Sequence, residues 1–265
     1  MIYLHPHSQR RIQQYLVSQP QSLLMVGEHG IGFGGAIDTI LSELHVTPYI
    51  VRPEGNTITA ETIRSLYDFI RGRSLTKRVV IIYDADAMSL SAQNAFLKML
   101  EEPSASTYYI LTTHMPSALI PTVHSRITPL KLEPISPEQT QTLLDELDIT
   151  DTMKRQQLVF IAEGLPALLT NLATKDELFQ LRAQQVRDAR TILRGTLYEK
   201  LQVANGYKDR NAALTLLSDA AKLLRHSTSQ TNAGTALKHL DTFLKSYERI
   251  EANGNVRLWL TMAVV

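Results

Sequence analysis

The segment from Arg78 to Pro103 restricts the fold of this chain more than any other stretch, because a strand, an acidic turn and an amphipathic helix follow one another without a gap. Val79 to Ile82 is a continuous β-branched run with no polar alternation, the pattern of a parallel strand covered on both faces and lying inside a sheet. Ala92, Ala95, Phe96, Met99 and Leu100 recur at the spacing of one helix face, and Pro103 is placed to stop that helix. Between them, Asp84 and Asp86 stand at the carboxyl end of the strand, where open α/β sheets hold their ligands.

The flanking sequence supplies the other layers of such a sheet. Ile12, Leu16 and Val17 predict a helix over 8–19, ahead of Pro20. Leu23 to Val26 reads as a strand and runs directly into the glycine-rich loop Gly27 to Gly35, after which residues 36–44 have helical periodicity. Further strands are expected at 49–51, 107–112 and 127–132, with a helix over 59–71. Strands separated by helices imply a parallel sheet with right-handed crossovers, here a three-layer α/β domain spanning 1–133.

The pattern changes at Glu133. Ser136, Pro137 and Gln139 form a capping-box helix start, and no convincing strand follows. Residues 134–174 predict two or three short helices, interrupted at 147–150 and 164–166. From 175 to 265 long helices are expected, with breaks at 205–206, 227–234 and 253–255, giving an all-helical C-terminal domain.

Composition narrows the functional classes. The chain has no cysteine, which removes disulfides and thiolate metal sites. Its eight histidines show no spacing suited to a metal. With 27 basic and 26 acidic residues there is no overall field to draw in nucleic acid, so any such contact needs a local patch. No apolar run is long enough to span a bilayer, and the first residues lack the order of a signal peptide, so a soluble, cytoplasmic chain is expected.

Strand, glycine loop and helix are the setting of a phosphate-binding loop, in which glycines let backbone N–H groups cradle phosphate, a lysine reaches the outer phosphates and a hydroxyl ligates magnesium. Gly27 and Gly32 have the spacing and Gly30 adds backbone freedom, but Phe33 occupies the lysine position and Gly34 the hydroxyl position. A glycine turn without a ligand and weak nucleotide binding through backbone groups both fit such a loop. Hydrolysis also needs an aspartate for magnesium and a neighbouring glutamate at the strand end, whereas this chain offers Tyr83, Asp84, Ala85 and Asp86. Two required charges are missing, so ATP hydrolysis by this chain alone is not expected.

Arg71, Arg73, Lys77 and Arg78 crowd together; a solvated loop edge is the default reading and a DNA-phosphate contact the alternative. Glu101 and Glu102, adjacent on a helix, do not face each other as paired catalytic carboxylates would, and read instead as capping or contact residues. Ser125 and Arg126 precede the last strand. A lone arginine there is ordinarily a surface residue, though arginine is the side chain able to stabilise phosphoryl-transfer charge on a neighbouring subunit.

Ser91 to Pro103 with its N-A-x-L-K-x-L-E-E-P core, then Tyr109 to Thr113, then Ser125-Arg126 closely resemble the bacterial DNA polymerase III clamp loader, in its delta-prime and gamma/tau subunits. The resemblance covers residues 5–172 and continues more weakly through the C-terminus. It implies an AAA+ module, a small helical lid and a helical collar that joins five subunits in a ring. Gamma/tau subunits carry the loop lysine, an Asp-Glu pair and a lid arginine; the matching positions here are Phe33, Tyr83 with Asp84, and about Ala167. The family's four-cysteine zinc insertion is replaced by Thr47-Pro48-Tyr49, and its usual cysteine by Ile127.

These departures match delta-prime, whose Ser-Arg arginine is offered to the ATP of an adjacent gamma/tau subunit. The resemblance therefore implies a non-catalytic stator without bound ATP, zinc or other metal. Arg126, with Ser125, would be an arginine finger in trans, and the partners would be gamma/tau and delta through the collar, the sliding clamp and primed DNA. A nucleotide-binding gamma/tau-like ATPase, or an AAA+-derived adaptor outside replication, remain the alternative readings of the sequence.

Overall fold

The computed structural model describes residues 3–70, 77–102, 104, 106–227 and 233–264. Arg71, Arg73 and Pro103 lie outside the described residues. The chain divides into two units, 1–174 and 175–265.

The first unit is built on five parallel strands, β1 (Ser22–Val26), β2 (Tyr49–Val51), β3 (Arg78–Ile82), β4 (Thr107–Thr113) and β5 (Thr128–Lys131), in the order β2-β3-β4-β1-β5. Strand β3 is interior as its composition requires, although β4 is the middle strand. The edge position of β5 explains how Pro129 is tolerated, since an edge strand can lack one ladder donor.

Alternation of side chains sends each strand's residues to opposite faces. Val80, Ile82, Leu24 and Leu111 pack with Ile63 and Leu66 of α3 (Ala60–Ile70) and with Ala92, Phe96 and Met99 of α4 (Leu90–Glu101). Val79, Ile81, Leu23, Met25 and Ile110 pack on the other face with Ile12 and Tyr15 of α1 (Pro6–Ser18) and with Ile37 and Ile40 of α2 (Phe33–Leu44). Each such fully buried aliphatic side chain contributes about 1.5–3 kcal/mol, an upper estimate because unfolded chains are already partly compact.

Two local expectations are corrected. Val17 is 88% exposed, so the buried stripe of α1 runs through Ser8, Ile12 and Tyr15 instead. Helix α2 begins at Phe33, three positions before 36: Gly32 adopts a left-handed conformation as its N-cap, and Phe33 is drawn into the core at 7% exposure.

After α5 (Pro121–His124) and β5, the first unit continues through α6 (Pro137–Glu146), α7 (Thr152–Ala162) and α8 (Pro166–Thr174). The capping box at Ser136 and Gln139 is fully formed. The second unit consists of α9 (Asp176–Arg194), α10 (Leu197–Gly206), α11 (Arg210–Ser227), α12 (Ala233–Glu251) and α13 (Val256–Val264) around a core that includes Leu216, Leu217, Phe243 and Ile250. A buried ion pair, Arg182 to Asp219 with contacts of 2.5 and 2.9 Å, ties α9 to α11. Among the described residues no helix is long and apolar enough to cross a membrane.

Candidate functional site: the glycine loop and Arg126

The glycine loop joins β1 to α2 at the carboxyl edge of the sheet. Gly30 and Gly32 have φ of 91° and 82°, which only glycine adopts without strain, and a Cβ on Gly27 would stand 2.9 Å from Ile31 Cγ2. The loop therefore keeps the backbone path of a phosphate cradle.

Its surroundings are already filled. The Gly30 carbonyl accepts hydrogen bonds from Ala167 N at 3.0 Å and Leu168 N at 3.1 Å, so the first turn of α8 is fastened to the loop. A Cβ on Gly30 would sit 2.7 Å from Leu168 Cβ, and one on Gly32 3.2 Å from Ala167 Cβ. Gly164, with φ of 79°, makes the sharp entry to α8: a Cβ there would lie 2.6 Å from the Ile135 carbonyl. Ala167, at about the position where the resemblance implies a lid arginine in gamma/tau subunits, meets the loop through backbone and methyl group.

Phe33 and His114 close the opposite side. The His114 ring lies 5.0 Å from Phe33 and 3.8 Å from His29. Its Nδ1 is 2.7 Å from the Gly27 carbonyl, which only accepts, so Nδ1 carries the proton. Burial pushes the His29 imidazole below its ordinary pKa, and His114 adds to the shift while Asp86 and Asp84 oppose it.

At the end of β3, Asp84 takes a left-handed conformation with φ of 50°, and its N–H donates to Thr112 Oγ1 at 3.1 Å. Asp86 Oδ1 accepts from Thr113 Oγ1 at 2.6 Å and from His114 N at 3.3 Å, which engages that oxygen with the end of β4. Tyr83, in the strand-end acidic position, lies under the Arg52 guanidinium at 3.8 Å. Among the described residues no group of three or more His, Cys, Asp or Glu is placed to hold a metal ion.

Arg126 has a separate set of partners. It follows α5, and its Nη1 donates to Thr122 O at 2.9 Å and Ser125 Oγ at 3.2 Å. Its Nη2 pairs with Glu101 at 3.0 Å, with side-chain exposures of 37% and 50%. Glu101 is therefore the ion-pair partner of this arginine, a contact sequence spacing does not show. The structure brings Gly27, Gly30, Gly32 and Phe33 together with the lid; the hydrogen bonds of Arg126 go to α5 and α4 instead.

Gln93, inside the α4 signature, is a second residue that sequence reasoning passes over. At 3% exposure it donates through Nε2 to Met88 O and Ala118 O, at 3.2 and 3.1 Å, and accepts from Ile120 N at 2.8 Å. It thereby fixes the segment that leads into α5 and Arg126. A buried amide in an otherwise apolar helix face is the signal that marks it.

Of the basic cluster, Lys77 Nζ donates to Gln19 Oε1 at 2.9 Å and lies 5.6 Å from the Tyr108 ring centre, while Arg78 Nη1 donates to Ile70 O at 3.1 Å. Both cations have partners within the chain.

Comparison with known proteins gives a consistent set of relatives. Residues 34–136 match a family model described as DNA polymerase III, delta subunit. The delta-prime subunit of DNA polymerase III from Bacillus subtilis is 30% identical over 165 residues, 62% of this chain and 47% of that protein. The Escherichia coli delta-prime subunit is 28% identical over 234 residues, covering 83% of this chain and 67% of that protein. The chain thus spans about half the length of the Bacillus relative. A gamma subunit-related protein from Thermotoga maritima shares the fold, with a TM-score of 0.53 at 19% identity over 97% of both chains. Through its α/β unit above all, the chain is similar to the delta-prime subunits of bacterial DNA polymerase III, and its fold is shared with the gamma subunit-related protein.

Proposed function

We infer that this protein is a delta-prime-like stator of a DNA polymerase III clamp loader: a subunit that binds no ATP itself, supports loading of the sliding clamp onto primed DNA and offers Arg126 to a neighbour's ATP. One observation carries the reading. The Gly30 carbonyl is bonded to the start of α8 while Phe33, in place of the loop lysine, is buried beside His114, which supports a loop fastened shut and lacking the charge a triphosphate requires.

The exposed arginine supports the second half. Glu101 and Thr122 hold the guanidinium in a partly solvated position, which lowers the entropy lost when it meets a phosphate on another subunit. The chain's role in the enzyme is then non-catalytic. Its partners are gamma/tau and delta subunits, engaged through the helical second unit, together with the clamp and primed DNA. Contact of Lys77 and Arg78 with DNA would require exchange of the partners they have now.

The test follows the amide resonances of residues 27–33 in the full chain while Mg-ATP is added. They are expected to stay in place up to about 1 mM nucleotide, the range of negligible affinity. Saturable shifts with a micromolar midpoint would instead identify a nucleotide-binding ATPase.

A further inference from the structure

The second unit contains a cavity of about 540 Å³ between the end of α10, the start of α11 and the turn joining α12 to α13. Three cations line it, Lys208, Arg210 and Arg257, together with asparagines and Tyr207; no carboxylate does. Asp209, next in sequence, caps α11 instead, its Oδ1 accepting from Ala212 N at 2.8 Å.

Neutral side chains hold two of the cations in place. Arg257 Nε donates to Asn205 Oδ1 at 2.8 Å, and Arg210 Nη1 donates to Asn253 Oδ1. Arg210 Nε is enclosed and has no hydrogen-bond partner. Three like charges lining one cavity with no carboxylate among the described lining residues repel one another, and such an arrangement is relieved when an anion enters. The Tyr207 hydroxyl is engaged with Asp188 at 2.9 Å, so what that side chain brings to the cavity is its ring.

We propose that this cavity binds a phosphate group of a single-stranded nucleic acid, with Arg257, Arg210 and Lys208 as the phosphate ligands and Tyr207 as a surface for the adjoining base. Guanidinium forks match phosphate oxygens, and aromatic side chains beside cations are the pattern of single-strand binding. The site belongs to the second unit, whereas the glycine loop and Arg126 belong to the first, and it holds whether or not this chain is inert toward ATP.

The test measures anisotropy of a labelled ten-residue oligo-dT against the full chain at several salt concentrations. The double variant Lys208→Gln/Arg257→Gln changes two exposed side chains, and Lys98→Gln/Lys131→Gln in the first unit serves as the charge-matched control. The expected result is at least tenfold weaker binding for the first pair alone, with the slope of log K against log salt reduced by about 1.4. Separate titrations with inorganic phosphate and with a nucleoside triphosphate show whether an isolated phosphate suffices; binding of either, tighter than the oligonucleotide, would overturn the strand as ligand. Equal loss in the control variant, no oligonucleotide binding, or equally tight and equally variant-sensitive binding of poly-glutamate would overturn the site.

Discussion

Gln93 shows how a single buried amide helps place a side chain, Arg126, that it does not bond to. Its three hydrogen bonds join Met88, Ala118 and Ile120, and the chain from Ile120 continues through α5 to Arg126. Gln93→Ala leaves those backbone groups without partners, at a cost of about 1–3 kcal/mol; denaturant unfolding is expected to show that loss, and hydrogen exchange to show faster opening over 118–126. His29 gives a pH dependence of known sign. Its folded pKa lies below the unfolded value of about 6.5, so between the two the unfolded chain binds more protons and stability rises with pH. Stability of the first unit is therefore expected to fall as pH drops below about 6.5, and to fall less in His29→Gln. The slope is shallow because solvent screens a partly exposed ring. Phe33 was legible in the sequence as a lost lysine, whereas its contact with His114 was not, since the ring reaches it from the far end of β4.

Helix α8 turns the glycine loop into a closed joint. Two of its amides, which at a helix start have no partner within the helix, are satisfied by the Gly30 carbonyl. Gly30→Ala places a methyl group against Leu168 at a φ of 91°. Strain of this kind costs about 1–3 kcal/mol, and the expected result in hydrogen exchange is loss of protection at Ala167 and Leu168, with the strands unchanged. The elements themselves were readable because the signals were local: β-branched runs for strands, glycine or capping residues for helix ends. The break at Gly195 between α9 and α10 went unread, although the Thr196–Glu199 capping box that starts α10 is written in the sequence. The union of loop and lid could not be read, because it depends on backbone groups more than a hundred residues apart.

At the scale of the whole molecule, one mixed and one helical unit have separate cores. In the first, the glycine loop lies against Phe33, His114 and the start of α8, and Arg126 pairs with Glu101; on the proposed reading, the first group replaces a nucleotide and the second serves a neighbour's. The fold class and the likeness to delta-prime subunits are legible through α4 and the Ser-Arg pair, while the packing of Phe33, His114 and α8 around the loop required the folded chain. The decisive measurement is single-turnover ATP hydrolysis by the reconstituted loader, carrying either the wild-type chain or Arg126→Ala. Removal of a surface ion pair costs about 1 kcal/mol or less, so the complex is expected to assemble with unchanged stoichiometry. Hydrolysis at the one neighbouring site is expected to slow by about 10³-fold or more, which removes that site's share of the ATP turned over. Full hydrolysis at every site of the Arg126→Ala complex would contradict the assignment.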